Sequence, residues 1–215
     1  MAVDHQPEAV NPGTPDPKTV DPGTLGPLTL EGRFVRLEPL RMEHASGLLA
    51  PASNPELWRW FPTDLASPAE MRKWVVAAVE AERTGAEYAF CVISRDSGEP
   101  IGSTRFLDVD NANRSVEIGW TWYGRSAWGS RVNPESKLLL LAHAFETWGA
   151  HRVYLKTDSL NERSRAAIEG IGGKFEGILR KHRIRRDGTF RHSAYYSILD
   201  DEWPMSKALL ERRLT

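Results

Sequence analysis

The chain is short of several things that common chemistries require. It has one cysteine, Cys91, so no internal disulfide can form. Cys91 sits between Ala89-Phe90 and Val92-Ile93. There it reads as a small buried strand residue, with no neighbouring base to make it a nucleophile. The six histidines show no metal-ligand spacing. His143 and His151 are too far apart for one helix face, and no cysteine or carboxylate completes a set, so no metal is expected. There is no dinucleotide glycine fingerprint, no P-loop and no local support for a Ser-His-Asp set. Neither sign of charge dominates: 28 Lys and Arg stand against 29 Asp and Glu. No global field therefore draws the chain to nucleic acid or membrane. Apolar runs such as Leu138 to Ala142 are far too short to span a bilayer. The N-terminal segment carries Asp4 and Glu8 and has no apolar core, so it does not read as a signal peptide. A cytoplasmic location is the expectation.

What the chain does have is proline at one end. Residues 1–27 carry prolines at positions 7, 12, 15, 17, 22 and 27, which break helices and sheet ladders. Asn11-Pro12-Gly13-Thr14 and Asp21-Pro22-Gly23-Thr24 are near copies, and both read as turns. This zone is expected to be an extended or disordered arm, the alternative being an arm pinned along the domain or across a dimer. Residues 28–215 then form one domain of a size that supports a full core.

Within that domain a first strand is expected around Phe34 to Leu37, and short helices over 42–49 and 56–60. A longer helix opens at Ser67-Pro68 and runs to about Thr84. Strands follow at Tyr88–Ser94, Ile101–Leu107 and Val116–Tyr123. Asn133-Pro134-Glu135 starts a helix that reaches Trp148 and is apolar on nearly all sides, so it should be well buried. A strand at Val153–Thr157, a helix from about Asn161, strands from Phe175 and over Arg191–Ile198, and a last helix capped by Asp200 or Asp201 complete the chain. The order argues for mixed α/β (α+β) packing around a largely antiparallel sheet of about seven strands.

The most informative stretch is Thr157 to Arg180, where a strand enters a helix and returns as a strand. Ser159 and Glu162 have capping-box spacing, and Gly172-Gly173 would supply a left-handed cap. Asn161 and Ser164 share a face of the first turn, where orphan N–H groups add positive partial charge. An amide and a hydroxyl at such a mouth can grip a small polar ligand. Thr157, Asn161, Ser164, Ile168, Gly172 and Phe175-Glu176-Gly177 together resemble the last motif of the GNAT N-acetyltransferase superfamily. They are most similar to the branch of RimJ/RimL-type ribosomal-protein N-terminal acetyltransferases. The resemblance extends from about Leu30 to Trp203.

That resemblance implies a fold in which a splayed strand pair binds acyl-CoA, with acetyl-CoA as co-substrate. Val116 to Trp122 is similar to the strand that bulges there. Gly119 suits a close backbone approach. Backbone N–H groups near Trp120, Thr121 and Trp122 would meet pantetheine or the thioester oxygen. Trp128-Gly129-Ser130-Arg131-Val132-Asn133 lies where the family binds pyrophosphate at a helix N-terminus. It departs from the family pattern: Trp128 replaces a polar residue, Arg131 a glycine and Asn133 a small residue. Arg131 either binds a phosphate oxygen through its guanidinium or points to solvent beside a weakened loop. Glu117 is the candidate base, acting directly or through water, and alternation places it on one face with Gly119 and Thr121. Ser164 resembles the serine that protonates departing CoA, and Asn161 would orient pantetheine.

The acceptor side is expected to involve Trp58, Trp60, Arg105 and Tyr196. The basic run Arg180 to Arg186, with Arg191 and His192 opposite, reads as a solvated sheet edge or as a dock for an acidic acceptor or ribosomal RNA. The resemblance implies direct attack by a primary amine, on a protein N-terminus or on a small molecule such as an antibiotic or polyamine. Nucleic acid would then be met only indirectly, through the ribosome, and a homodimer is a family-level expectation. The altered phosphate loop leaves a third reading, a non-catalytic scaffold that binds coenzyme or protein.

Overall fold

The computed structural model describes residues 25–215, so all but the last three residues of the expected arm lie outside the described residues. Leu25 is buried in the main core, which brings the start of the packed domain before the expected Leu28.

Two short strands open the fold, β1 (Leu30–Glu31) and β2 (Val35–Pro39). Two single-turn helices follow, α1 (His44–Gly47) and α2 (Leu49–Ala52), then a 3-10 turn over Pro55–Trp60. Helix α3 (Pro68–Arg83) begins where its chemistry predicts. Ser67 accepts a hydrogen bond from the Glu70 N–H at 3.2 Å, and Pro68 takes the first helical position, where no N–H is needed. Met71, Trp74, Val75 and Ala78, spaced for one helical face, are its buried residues.

Three antiparallel strands come next: β3 (Tyr88–Ser94), β4 (Pro100–Asp110) and β5 (Ser115–Tyr123). Helix α4 (Val132–Ala142) continues through a π-helical turn (His143–Thr147), and β6 (Arg152–Asp158) returns to the sheet. Helix α5 (Glu162–Glu169), strands β7 (Lys174–Ile184) and β8 (Phe190–Leu199), and helix α6 (Trp203–Arg212) complete the fold. No helix among the described residues is long and apolar enough to cross a membrane.

All eight strands form one sheet in the order β1-β2-β3-β4-β5-β6-β8-β7. The eighth strand, relative to the expected seven, is β1, whose two residues are too few to show an alternation. Every pairing is antiparallel except β5 with β6. Alternation splits the sheet into two cores. Phe90, Val92, Phe106, Ile118, Val153 and Tyr196 belong to the core beneath α4, α5 and α6. Ala89, Cys91, Ile93 and Trp122 belong to the core beneath α1, α2 and α3.

Several local expectations change with the three-dimensional context. Asn161, rather than Ser159, caps α5, accepting from the Ser164 N–H at 3.1 Å. At the other end Gly172 alone is left-handed, at φ 95°, while the Gly173 N–H closes on the Ile168 carbonyl at 3.0 Å. Helix α4 starts one residue before Asn133, with Arg131 at its cap position. Neither Asp200 nor Asp201 caps α6: Glu202 holds that position, and Asp200 pairs instead with His151 at 2.9 Å.

Candidate active site

The site is created by a fault in the sheet. Arg105 faces Gly119 and Ser103 faces Trp122, so the single residue Thr104 opposes both Trp120 and Thr121. The extra residue is absorbed by Trp120 in a left-handed conformation at φ 49°. A non-glycine residue held there costs on the order of 1 kcal/mol and persists only where surrounding packing demands it. Approaching the bulge β5 leaves β6: the parallel ladder holds only from Ser115 to Glu117. The edges of Ile118–Tyr123 and Leu155–Asp158 therefore face each other across an open groove of about 2080 Å³.

The bulge also overturns one expectation. Glu117 and Thr121 do not share a face. The extra residue turns Thr121 toward α4, where its hydroxyl lies 2.8 Å from that of Thr104, and Glu117 faces the opposite side.

On the α4 side, the Trp128–Asn133 loop feeds the helix. Gly129 supplies the left-handed turn at φ 70°, and Arg131 is an ordinary right-handed residue at φ −73°. Glycine is therefore not needed at position 131. The Arg131 guanidinium donates to the Thr215 carbonyl at 3.0 Å and lies 5.2 Å over the Phe34 ring. The Ser130 hydroxyl accepts from the Val132 N–H. The N–H groups of Gly129, Arg131 and Asn133 have no hydrogen bond among the described residues. Such a helix mouth fits a phosphate-bearing donor. Opposite it, α5 contributes Arg163, 3.8 Å over the Trp128 ring, and Ser164 and Asn161, both lining the groove. The Asn161 side-chain oxygen is committed to its cap, so only its amide nitrogen is left for a ligand.

Sequence reasoning missed Lys137. It is 5 % exposed, lines the groove and donates to Thr121 Oγ1 at 2.6 Å, with Thr104 Oγ1 at 3.4 Å. Burial pulls its ammonium down to about 7. The unfolded chain keeps a proton on lysine up to about 10.4. Between those values the unfolded state binds more protons, so stability rises with pH from about 7 and is lost again as pH falls. Lys137→Met should abolish that slope. By thermal melts the variant should be the more stable by roughly 5 °C at pH 6, with the gap closing toward pH 9. Parallel curves would show that the ammonium is not desolvated.

On the other face Glu117, 2 % exposed, accepts from Lys156 Nζ at 2.5 Å. Burial pushes its carboxyl up to about 7, with the Lys156 hydrogen bond and charge opposing. Lys156 is pulled down by burial, but its hydrogen bond to Glu117 together with the charges of Glu117, Tyr195 and Asp108 holds it above its usual value. Trp60, Phe61 and Trp120 wall the same side of the groove.

Three residues expected at the acceptor side do not reach it. Trp58 is fully buried, with its indole N–H on the Ala52 carbonyl and its ring against Trp122. Arg105 is 5 % exposed, paired with Glu87 at 2.5 Å and sandwiched between Trp74 and Trp120. Tyr196 points into the opposite core, its hydroxyl between Arg165 and Glu169 of α5. Its neighbour Tyr195 carries the groove-side face, stacked near Tyr154 and 5.8 Å from Lys156 Nζ. Trp122 lines the groove, but its ring is only 2 % exposed and packs with Trp58 and Trp74.

Comparison with known proteins agrees with this architecture. Residues 35–174 match the family described as Acetyltransferase (GNAT) domain. A GCN5-related N-acetyltransferase from Brucella melitensis is 30 % identical, with a TM-score of 0.84 over 92 % of this chain and 90 % of that one. The Bacillus licheniformis protein named "Uncharacterized N-acetyltransferase p20" is 24 % identical over 81 % of this chain and 98 % of its own length. Mycobacterium smegmatis RimJ, solved with CoA-disulfide, has the same fold: TM-score 0.76, 24 % identity, 88 % of this chain and 96 % of that one.

Proposed function

Because the chain belongs to the GNAT acetyltransferase family, whose members are N-acyltransferases with acetyl-CoA as donor, we propose that it acetylates a primary amine by direct attack on the thioester. The single observation that carries this reading is the groove itself. An unpaired strand gap connects a helix mouth suited to phosphate with a buried carboxylate on the far face of the sheet. Acetyl-CoA supplies the activated acetyl group. Its phosphates would lie at the N–H groups of Gly129, Arg131 and Asn133, and its pantetheine arm between β5 and β6.

The amine enters from the opposite face, past Trp60, Phe61 and Trp120. Glu117 takes a proton from it, directly or through water, as the amine nitrogen bonds to the carbonyl carbon. As the carbon–sulfur bond breaks, the Ser164 hydroxyl gives a proton to the sulfur and is reprotonated from solvent, and Glu117 releases the amine's proton to solvent. Backbone N–H groups of the bulge at Trp120 and Thr121 stabilise charge on the carbonyl oxygen. A protein N-terminus is the acceptor favoured by the RimJ/RimL-like motif, and a small amine uses the same geometry.

The test is release of free CoA from acetyl-CoA on addition of an amine. Ser164→Ala should lower kcat about tenfold or more and leave the calorimetric Kd for acetyl-CoA unchanged. Unchanged turnover would remove the serine from proton transfer. Absence of acetyl-CoA binding by the unaltered protein would favour the scaffold reading.

A further inference from the structure

The acceptor face holds more positive charge than its carboxylates can answer. Asp158 spends both oxygens on Arg185, at 2.8 and 3.0 Å. Glu117 is taken by Lys156, and Arg186 by Asp64 at 3.8 Å and the Trp58 carbonyl at 3.1 Å. Arg183 and Arg191 have no ion pair to a carboxylate among the described residues, and neither has Arg59, whose guanidinium lies instead 4.9 Å over the Trp60 ring. Arg183 and Arg191 are direct cross-strand partners on β7 and β8, and both line the groove. Like charges placed directly opposite destabilise a strand pair. An anion between them would reverse the sign of that interaction.

Arg191 is also partly withdrawn from water and is anchored through Nε to Ser193 Oγ at 3.0 Å. The same hydroxyl lies 2.9 Å from His182 Nδ1, which leaves the outer guanidinium nitrogens of Arg191 for a ligand. Arg191, Ser193 and Tyr195 share the face of β8 that meets Lys156, so this cation stands on the same side of the sheet as Glu117. Burial lowers the hold of Arg191 on its proton, while the charges of Asp158 and Glu117 oppose that.

We propose that Arg183 and Arg191 form an anion subsite in the acceptor cleft, and that the accepted amine carries a carboxylate. The proposal rests on the reading that the amine meets Glu117 on this face. Guanidinium groups match a carboxylate in fork geometry, and a partly dry site strengthens the contact. The carboxylate belongs either to a free amino-acid-like amine or to an acidic side chain just after a peptide N-terminus.

Calorimetric titration with product-like pairs tests this without requiring turnover. N-acetylglycine against N-acetylglycinamide probes the free amino acid. N-acetyl-Ala-Asp amide against N-acetyl-Ala-Asn amide probes the peptide. The carboxylate member of one pair should bind about tenfold tighter, and Arg191→Gln and the exposed Arg183→Gln should each abolish the preference. The pair that discriminates identifies the source. Equal affinities in both pairs, no binding by any of the four, or a preference that survives both substitutions would overturn the subsite. Acetyl-CoA titrated into the same preparations keeps the two readings apart. Failure to bind acetyl-CoA refutes the donor assignment, whereas acetyl-CoA binding without carboxylate discrimination refutes only the subsite.

Discussion

Glu117→Gln is expected to lower kcat/KM for the accepted amine by about 10²–10⁴-fold while leaving acetyl-CoA affinity nearly unchanged and the protein folded. The substitution keeps the shape of the side chain, and its carbonyl oxygen can still accept from Lys156 Nζ, 2.5 Å from the carboxylate in the native protein. What it removes is a group able to take a proton. Burial pushes the native carboxyl up to about 7, so the base form accumulates as pH rises through that value. The native kcat/KM should therefore climb to a plateau above about pH 7, and the variant should lose that limb. Stability has the opposite sign. An unfolded glutamate gives up its proton near 4.3, so between that value and about 7 the folded state binds more protons and stability falls as pH rises. Glutamine is spared that penalty, so the variant should be at least as stable at pH 8. A pH–rate profile with thermal melts checks both. A folded variant that keeps native kcat/KM would remove Glu117 as the base.

Much of this arrangement could be read along the chain, because local chemistry agreed with tertiary packing. Ser67-Pro68 announced α3, and the apolar run within Tyr88–Ser94, ahead of the turn at Asp96–Glu99, placed β3 to the residue. Asn161 and Ser164 do lie together at the mouth of α5. What could not be read is anything that depends on a shift of period by one. The left-handed Trp120 adds a single residue to β5, and every later side chain changes face. Glu117 and Thr121, two pairs apart, thus end on opposite sides. Tyr195 and Tyr196 carry the same ambiguity on β8: alternation says that one of them faces the groove, and only pairing with Leu155 and Lys156 of β6 says which. Trp58 and Arg105 fail differently, since an aromatic or basic residue near a cleft gives no sign of its depth. Lys137 was hidden by its setting. In a helix that is apolar on nearly all sides, a lone lysine reads as the solvent edge. Here it is the residue aimed at two threonine hydroxyls inside the groove.

Glu135→Ala should be strongly destabilising. Sequence reasoning used Glu135 only as part of the Asn133-Pro134-Glu135 start of α4. The structure gives it a different task. Its carboxylate, 4 % exposed, accepts from three successive backbone N–H groups: Arg33 at 2.8 Å, Phe34 at 2.6 Å and Val35 at 2.7 Å. Gly32 completes the cradle: a Cβ there would come within 2.6 Å of the Glu135 carboxylate and 2.8 Å of the Val35 carbonyl oxygen. The clamp ties the turn between β1 and β2 to the start of α4, and it sets Phe34 under the Arg131 guanidinium at the mouth of the groove. Alanine would leave these donors unpaired, the Val35 N–H buried and the other two partly so. Each unsatisfied group costs about 1–3 kcal/mol, so a loss of roughly 3–5 kcal/mol in chemical denaturation is expected. Glutamine keeps one good acceptor but turns an amide N–H₂ toward backbone donors, so it should fall between the two. Because the same helix start presents the N–H groups of Arg131 and Asn133, acetyl-CoA affinity should weaken in step with stability across the glutamate, glutamine and alanine series. If affinity held while stability fell, the phosphate mouth would be organised independently of this clamp, by the Gly129 turn and the Ser130 hydroxyl alone.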